Sequence, residues 1–270
     1  MEIKTEKEKK IKIVGFSIWR LLAYFIIYSI VGYVVETCFG LLTKGVIESR
    51  KSFLYGPFCS IYGIGAVVMI IFLQYFKKNK YSLFFGGFII GSVIEYLVSL
   101  IGEFIFHVKW WDYSNMAFNI NGRICIIYSF FWGALAIYLM SHFNPLVDKF
   151  IEKIKNKFSI TVLKTIVVIG ILFIAIDFLI TMFALKMFFT RLVYEHDLDL
   201  PNKDSYIQEY EKVYSNKNLE KITLKYFSDE TMLKTFPNLK VSDSNGEIVH
   251  IRDILVDITP YYVKVFTPKM

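Results

Sequence analysis

An all-α fold is predicted for this sequence: a polytopic transmembrane helical bundle of about five spans, followed by a small polar tail. Three observations carry that reading. Of 270 residues, 55% are hydrophobic and 20% charged, against roughly 45–50% and about 25% in ordinary globular chains, so the excess apolar surface calls for a solvent other than water. Apolar runs long enough to cross a bilayer recur along the first 190 residues. The short polar stretches between those runs alternate between lysine-rich and lysine-poor.

The elements follow in order. The lysine-rich start, MEIKTEKEKKIKI, precedes an apolar run from about Phe16 to Leu42. That run is too long for a signal-peptide core of ~7–15 residues and no small-residue cleavage site follows, so it reads as a retained first span. Further spans are expected over about Phe53–Phe76, Ser82–Phe106, Arg123–His142 and Thr161–Phe189. Each reaches the ~20 residues needed to cross ~30 Å of hydrocarbon. The chain divides into a transmembrane domain, 1–190, and a polar tail, 191–270. In the tail, residues 205–235 are expected to form one or two short amphipathic helices ended by Pro237. VSDSNGEIVHI is expected to form a β-hairpin around Asn245-Gly246.

The net charge of +7 is unevenly spread: residues 1–190 hold 20 Lys/Arg and 11 acids, residues 191–270 hold 11 and 13. The basic surplus therefore belongs to the membrane half and sets orientation; nucleic acid is not an expected partner. Lys4, Lys7, Lys9, Lys10, Lys12, Lys77, Lys78, Lys80, Lys149, Lys153, Lys155 and Lys157 lie on one side. Lys44, Arg50, Lys51 and Lys109 lie on the other. A cytoplasmic N-terminus and an outside tail follow. Cys38, Cys59 and Cys125 fall in or beside apolar runs and read as buried free thiols, with no metal site and no cofactor implied.

Charges inside a span are costly, so each is a functional candidate. The third span places Gly87, Gly91, Glu95, Ser99 and Glu103 four residues apart on one face. The first repeats the pattern with Gly32, Glu36 and Gly40, and small residues beside an acid let another helix approach closely. One reading is a packing seam; the other is a polar cavity lined by Glu36, Glu95 and Glu103. Asp177 is a candidate for the same interior. Tyr62, in the run that enters the second span through Gly56-Pro57, is a further cavity candidate. The loop KWWDYSNMAFNINGRI carries Trp111, Asp112, Asn119 and Arg123, too dense a set of hydrogen-bonding groups for an aromatic belt alone. Arg123 is expected on Glu36 or Glu103, beside Arg50, with Asp112 and Asn119 pinning the loop as a lid and Glu95 as the cavity floor.

Gly32-Tyr33-Val34-Val35-Glu36, SFLYGPFCSIYGIG, Glu95 with Glu103, and above all WWDYS followed by FNINGRI resemble the bacterial membrane family of ABC-transporter type IV permeases. The resemblance covers about residues 18–142, and TMLKTFPNLKV is similar to the family's usual ending. It implies a permease-like subunit in a bacterial cell membrane, working with a separate ATPase. The sequence contains no GxxxxGK[ST] phosphate loop. A non-enzymatic transport component is therefore the leading expectation. A scaffold or sensor that binds a partner through its tail is the alternative. A membrane enzyme acting on a lipid or envelope intermediate ranks lower, because no nucleophile–base set or metal-ligand pair stands in the spans. The lipid bilayer is a partner on any reading. A homo-oligomer is left open, and no substrate is named.

Overall fold

The computed structural model describes residues 12–13, 15–106, 109 and 111–259. Lys4, Lys7, Lys9, Lys10 and Trp110, which enter the expectations above, lie outside them. A short ribbon, β1 (Lys12–Ile13) paired with β2 (Phe16–Ser17), leads into α1 (Ile18–Lys44). Gly45 ends α1 in the left-handed region, φ 71°, with its N–H on the Leu41 carbonyl. Glycine holds that conformation without a Cβ penalty.

The expected second span shortens to α2 (Ser60–Leu73), 14 residues plus a three-residue 3₁₀ turn to Phe76. The reason lies upstream: Gly56 has φ +70° and precedes Pro57, so residues 51–59 run as irregular chain. Irregular backbone at membrane depth survives only where its donors are satisfied by protein. Here the Cys59 N–H reaches the Ser29 carbonyl of α1 at 2.8 Å. Ser60 N–H reaches Ser52 Oγ, Leu54 N–H reaches Thr181 Oγ1 at 2.9 Å, and Tyr55 N–H reaches Asp177 at 3.1 Å.

α3 (Lys80–Phe106) is capped by Asn79, whose side chain accepts from Ser82 N–H at 2.8 Å. α4 (Ile126–Tyr138) runs through a five-residue π-helical turn, Leu139–Phe143, into α5 (Asn144–Lys155). The fourth span therefore does not stop at His142, and Lys149, Lys153 and Lys155 sit on helix instead of in a loop. α6 (Ile160–Glu195), N-capped by Ser159, has 36 residues.

The described residues thus contain four helices long and apolar enough to cross a membrane, plus the shorter α2. Two helix pairs are packed through glycines. On α1·α2, a Cβ on Gly32 would lie 2.3 Å from Tyr62 Cβ, and one on Gly63 would lie 2.6 Å from the Phe25 carbonyl. On α3·α4, Gly87 approaches Ala136 and Gly91 approaches Trp132 at 2.1 and 2.5 Å by the same measure. Backbones this close gain the van der Waals contact that drives helix association in lipid.

The tail folds as three helices where one or two were expected: α7 (Lys203–Tyr214), α8 (Lys217–Tyr226) and α9 (Asp229–Thr235). β3 (Lys240–Ser242) and β4 (Ile248–His250) form the hairpin, turning at Gly246 with φ +84°, and α10 (Ile251–Ile254) follows. The tail has its own core, in which Leu200, Met232, Leu233, Val241 and Ile251 pack on Phe188, Phe189, Leu192 and Val193 of α6. Arg191 sits inside that core and is fully paired: Nε to Asp229 at 2.7 Å, Nη1 to the Tyr214 hydroxyl at 3.0 Å, Nη2 to the Phe227 carbonyl at 2.5 Å.

Candidate functional site

The acids expected to share one cavity occupy separate nests. Glu95 is buried; one carboxylate oxygen accepts from the Tyr113 hydroxyl at 2.9 Å and the other from the Trp132 indole N–H at 3.0 Å. Tyr113 belongs to the loop between α3 and α4, and its ring stacks on Tyr128 of α4 at 4.7 Å. Burial beside Glu95 pushes the Tyr113 phenol far above its ordinary range, so it stays a donor. Glu36, half-buried on α1, accepts from the Tyr62 hydroxyl at 2.6 Å.

Arg123 stands on Glu103, Nη1 to Oε2 at 2.5 Å, and also reaches Ser99 Oγ at 3.3 Å. Glu103 takes Lys109 as well, at 3.3 Å. Arg50 does not join this group: it pairs with Glu48 at 2.5 Å, Glu48 also takes Lys44 at 2.8 Å, and the Arg50 guanidinium rests against Gly40.

The loop between α3 and α4 is tied mainly to itself. Asp112 accepts from the Ser114 backbone and hydroxyl, and a Cβ on Gly122 (φ +66°) would strike both side chains. Asn119 donates to the carbonyls of Ser114 and Met116 and accepts from Gly122 N–H. Trp111 Nε1 donates to the Arg123 carbonyl at 2.9 Å. Asp177 is buried and joins neither Glu36 nor Glu95; it holds the irregular segment before α2.

The turn before β3 and β3 itself reach α1 and α3. Lys44 Nζ of α1 donates to Asn238 at 3.1 Å, Lys109 N–H to the Lys240 carbonyl at 3.2 Å, and Ser242 Oγ to Glu103 of α3 at 3.3 Å. The C-terminal ends of α1, α3 and α6 therefore meet at one face. At the opposite end Arg20 pairs with Asp148 of α5 at 2.7 Å, Tyr24 also bonds Asp148, and the Tyr28 hydroxyl donates to Asn144 at 3.1 Å. Sequence reasoning missed this cluster: Tyr24 and Tyr28 sit four apart inside an apolar run, and that spacing was its only trace.

The three thiols are free, Cys59 and Cys125 buried and Cys38 exposed. Among the described residues, Glu195, His196 and Asp229 bring ligand atoms within 4.8 Å of one another, but Asp229 is already the partner of Arg191. A groove of about 420 Å³ runs between α6 and α7, lined by Phe183, Lys186, Phe189, Tyr206 and Glu209, away from the intramembrane acids.

Long apolar helices paired along glycine seams, with carboxylates held inside the span by neutral donors, define a multi-pass helical membrane protein. The family described as “Putative ABC-transporter type IV” matches residues 23–182, more than half of the chain, and the chain belongs to that family. The match runs from the first turns of α1 into α6 and stops short of the tail core, so TMLKTFPNLKV lies beyond it. No curated protein and no solved structure matches the chain.

Proposed function

We propose that the chain is the permease-like membrane component of a transporter, taking its substrate into a polar site between the helix pairs and working with a separate ATPase. The observation that carries this reading is the Tyr113–Glu95 hydrogen bond. A residue of the connecting loop closes directly on a buried carboxylate, so lifting the loop and exposing the acid are one event. Loops of this kind gate access in many transport and catalytic cycles. The basic residues flanking α2, α3 and α5 support a cytoplasmic position for the end opposite the tail. The amphipathic α5 stands there, with Leu146 and Phe150 exposed one turn apart, as the surface offered to an ATPase.

Purification of the tagged full-length chain from its native membrane, with identification of co-purifying proteins, tests the reading. An ATPase recovered with the wild-type chain and lost from a Leu146→Asp, Phe150→Asp variant supports it. Recovery of the chain without any ATPase overturns it. A second reading, a membrane sensor signalling through its tail, is favoured by the tail segment 238–242 touching both α1 and α3; it calls for a partner that binds the tail and no ATPase.

A further inference from the structure

The α1·α2 and α3·α4 pairs are two copies of one unit. Ile30-Val-Gly-Tyr-Val-Val-Glu36 aligns with Ile89-Ile-Gly-Ser-Val-Ile-Glu95, identical at four of seven positions. Gly56-Pro-Phe-Cys-Ser-Ile-Tyr62 aligns with Gly122-Arg-Ile-Cys-Ile-Ile-Tyr128, again identical at four of seven. The structure repeats what the sequence repeats. Gly56 and Gly122 both have positive φ, +70° and +66°, and Cys59 and Cys125 are the residues that precede α2 and α4.

In each copy the seam glycine receives an aromatic ring that then bonds the acid four residues on. Tyr62 packs on Gly32 and donates to Glu36; Trp132 packs on Gly91 and donates to Glu95. One turn further along, an arginine meets Gly40 in the first copy and Ser99 in the second, positions that correspond in the alignment. The tail segment 238–242 touches the corresponding residues Lys44 and Glu103. Both long helices end at the tail face, so the copies run parallel, the arrangement in which repeats are related about an axis along the membrane normal.

We infer that Glu36 with Tyr62 and Glu95 with Tyr113 are two equivalent proton-binding sites of this membrane core. Each acid accepts only from neutral donors, and among the described residues no Lys, Arg or His lies within ion-pair distance of either. The groups around Glu36 are Tyr62 of α2 and, from the connecting segment, Cys59 and Arg50; Arg50 is taken by Glu48. Around Glu95 they are Tyr113 of the loop and Trp132 of α4, with Tyr128 of α4 and Cys125 just before it facing Tyr113; Arg123 of the same loop is taken by Glu103. A lone negative charge in a span is costly, so each site takes up one positive charge.

A proton fits where a metal ion does not. The indole N–H on Glu95 has no lone pair to coordinate a cation, whereas a phenol hydroxyl both donates and accepts. On protonation one O–H bond forms on the carboxylate as a hydronium ion gives up its proton and leaves water, and the phenol, still protonated, turns from donor to acceptor. No other bond changes. The sites stand without the transport reading; their use in coupling rests on it.

Infrared difference spectra of the full-length chain in lipid nanodiscs, recorded between acidic and alkaline pH, test the assignment. Among the protonated-carboxyl bands, one is expected to be lost in Glu36→Gln and a different one in Glu95→Gln. Tyr62→Phe is expected to shift the first band alone and Tyr113→Phe the second alone, which keeps the test independent of any one variant's folding. An unchanged carboxyl region in either Gln variant overturns the inference, as does loss of the same band in both. Loss of a band on adding sodium chloride at fixed pH, with choline chloride inert, assigns a metal cation and overturns it too. Recovery or absence of an ATPase moves none of these readouts.

Discussion

The two copies carry the same carboxylate on the same glycine seam and close it by different means. In α1·α2 the closing segment is tied to a third party: Asp177 and Thr181 of α6 accept the N–H groups of Tyr55 and Leu54. In α3·α4 the closing loop is longer, satisfies most of its hydrogen bonds internally, and reaches Glu95 through one phenol. The pairing has also slipped by a turn. Trp132 stands where the sequence counterpart of Tyr62, Tyr128, would be expected, and Tyr128 instead supports Tyr113 from behind. The duplicated unit thus has one side anchored to α6 and one side held chiefly within itself.

The largest expected contrast is between Glu95→Lys and Glu36→Lys. Glu95 is buried, so a lysine there costs about 3 kcal/mol, while the half-buried Glu36 site at the corresponding depth should lose about 1 kcal/mol. Membrane-inserted yield and thermal unfolding in detergent read the difference; equal losses would mean that the two acids are equally enclosed. Next come Gly32→Leu and Gly91→Leu, each expected to cost about 2–3 kcal/mol by forcing the pairs apart. Gly65, with nothing within 4 Å of its added Cβ, serves as the mild control in Gly65→Leu.

Smaller, and sharper as a test of the geometry, is the coupling of the charges. A double-mutant cycle on Glu103 and Arg123 should give about 1–2 kcal/mol, and one on Glu36 and Arg123 close to zero. A sizeable Glu36–Arg123 coupling would refute the separation of the two nests. Asp177→Asn should loosen the side anchored to α6. Maleimide labelling of Cys59 is expected to rise about tenfold, the equivalent of ~1.4 kcal/mol of local opening, while Cys125 is unchanged.

The smallest effect concerns the tail hairpin. Burial, with Lys240 and Arg252 nearby, holds the His250 imidazole below its usual value. Above about pH 6.5 it is neutral folded or unfolded and contributes no pH dependence. As pH falls below that value the unfolded tail gains the proton first, so the hairpin loses stability. Hydrogen exchange of β3 and β4 should accelerate on acidification, and His250→Gln should blunt the response.

The spans were legible because ~20 apolar residues between polar stretches leave few alternatives. The hairpin was legible in Asn245-Gly246. The start of α2 was not, because nothing local says that Asp177, over a hundred residues on, will satisfy the backbone before it. The run of α4 into α5 was hidden by Asn144-Pro145, which reads as a stop, although Pro is well placed at the first turn of a helix. For the site, the acids and Arg123 announced themselves by their cost in lipid. Of their partners only Tyr62 was singled out; Tyr113 and Trp132 are common in such chains, and only folding shows which hydroxyl or N–H turns inward. The duplication was written in the sequence, but Glu36 to Cys59 spans 23 residues and Glu95 to Cys125 spans 30, so no single period reveals it.

The 36 residues of α6 make a rod of about 54 Å, against ~30 Å of hydrocarbon, so roughly 24 Å of it projects from the bilayer. Its final turns are the core of the tail, and the tail segment 238–242 is fastened to α1 and α3 by hydrogen bonds of 3.1–3.3 Å. A helix of this length answers a change in bilayer thickness by tilting, and a change of about 10° swings its far end by roughly 4 Å. That displacement is larger than a hydrogen bond tolerates. A tilt of that size would strain both ties of the tail at once, Lys44 to Asn238 and Glu103 to Ser242, so bilayer thickness and the seating of the tail on the two copies are expected to be coupled.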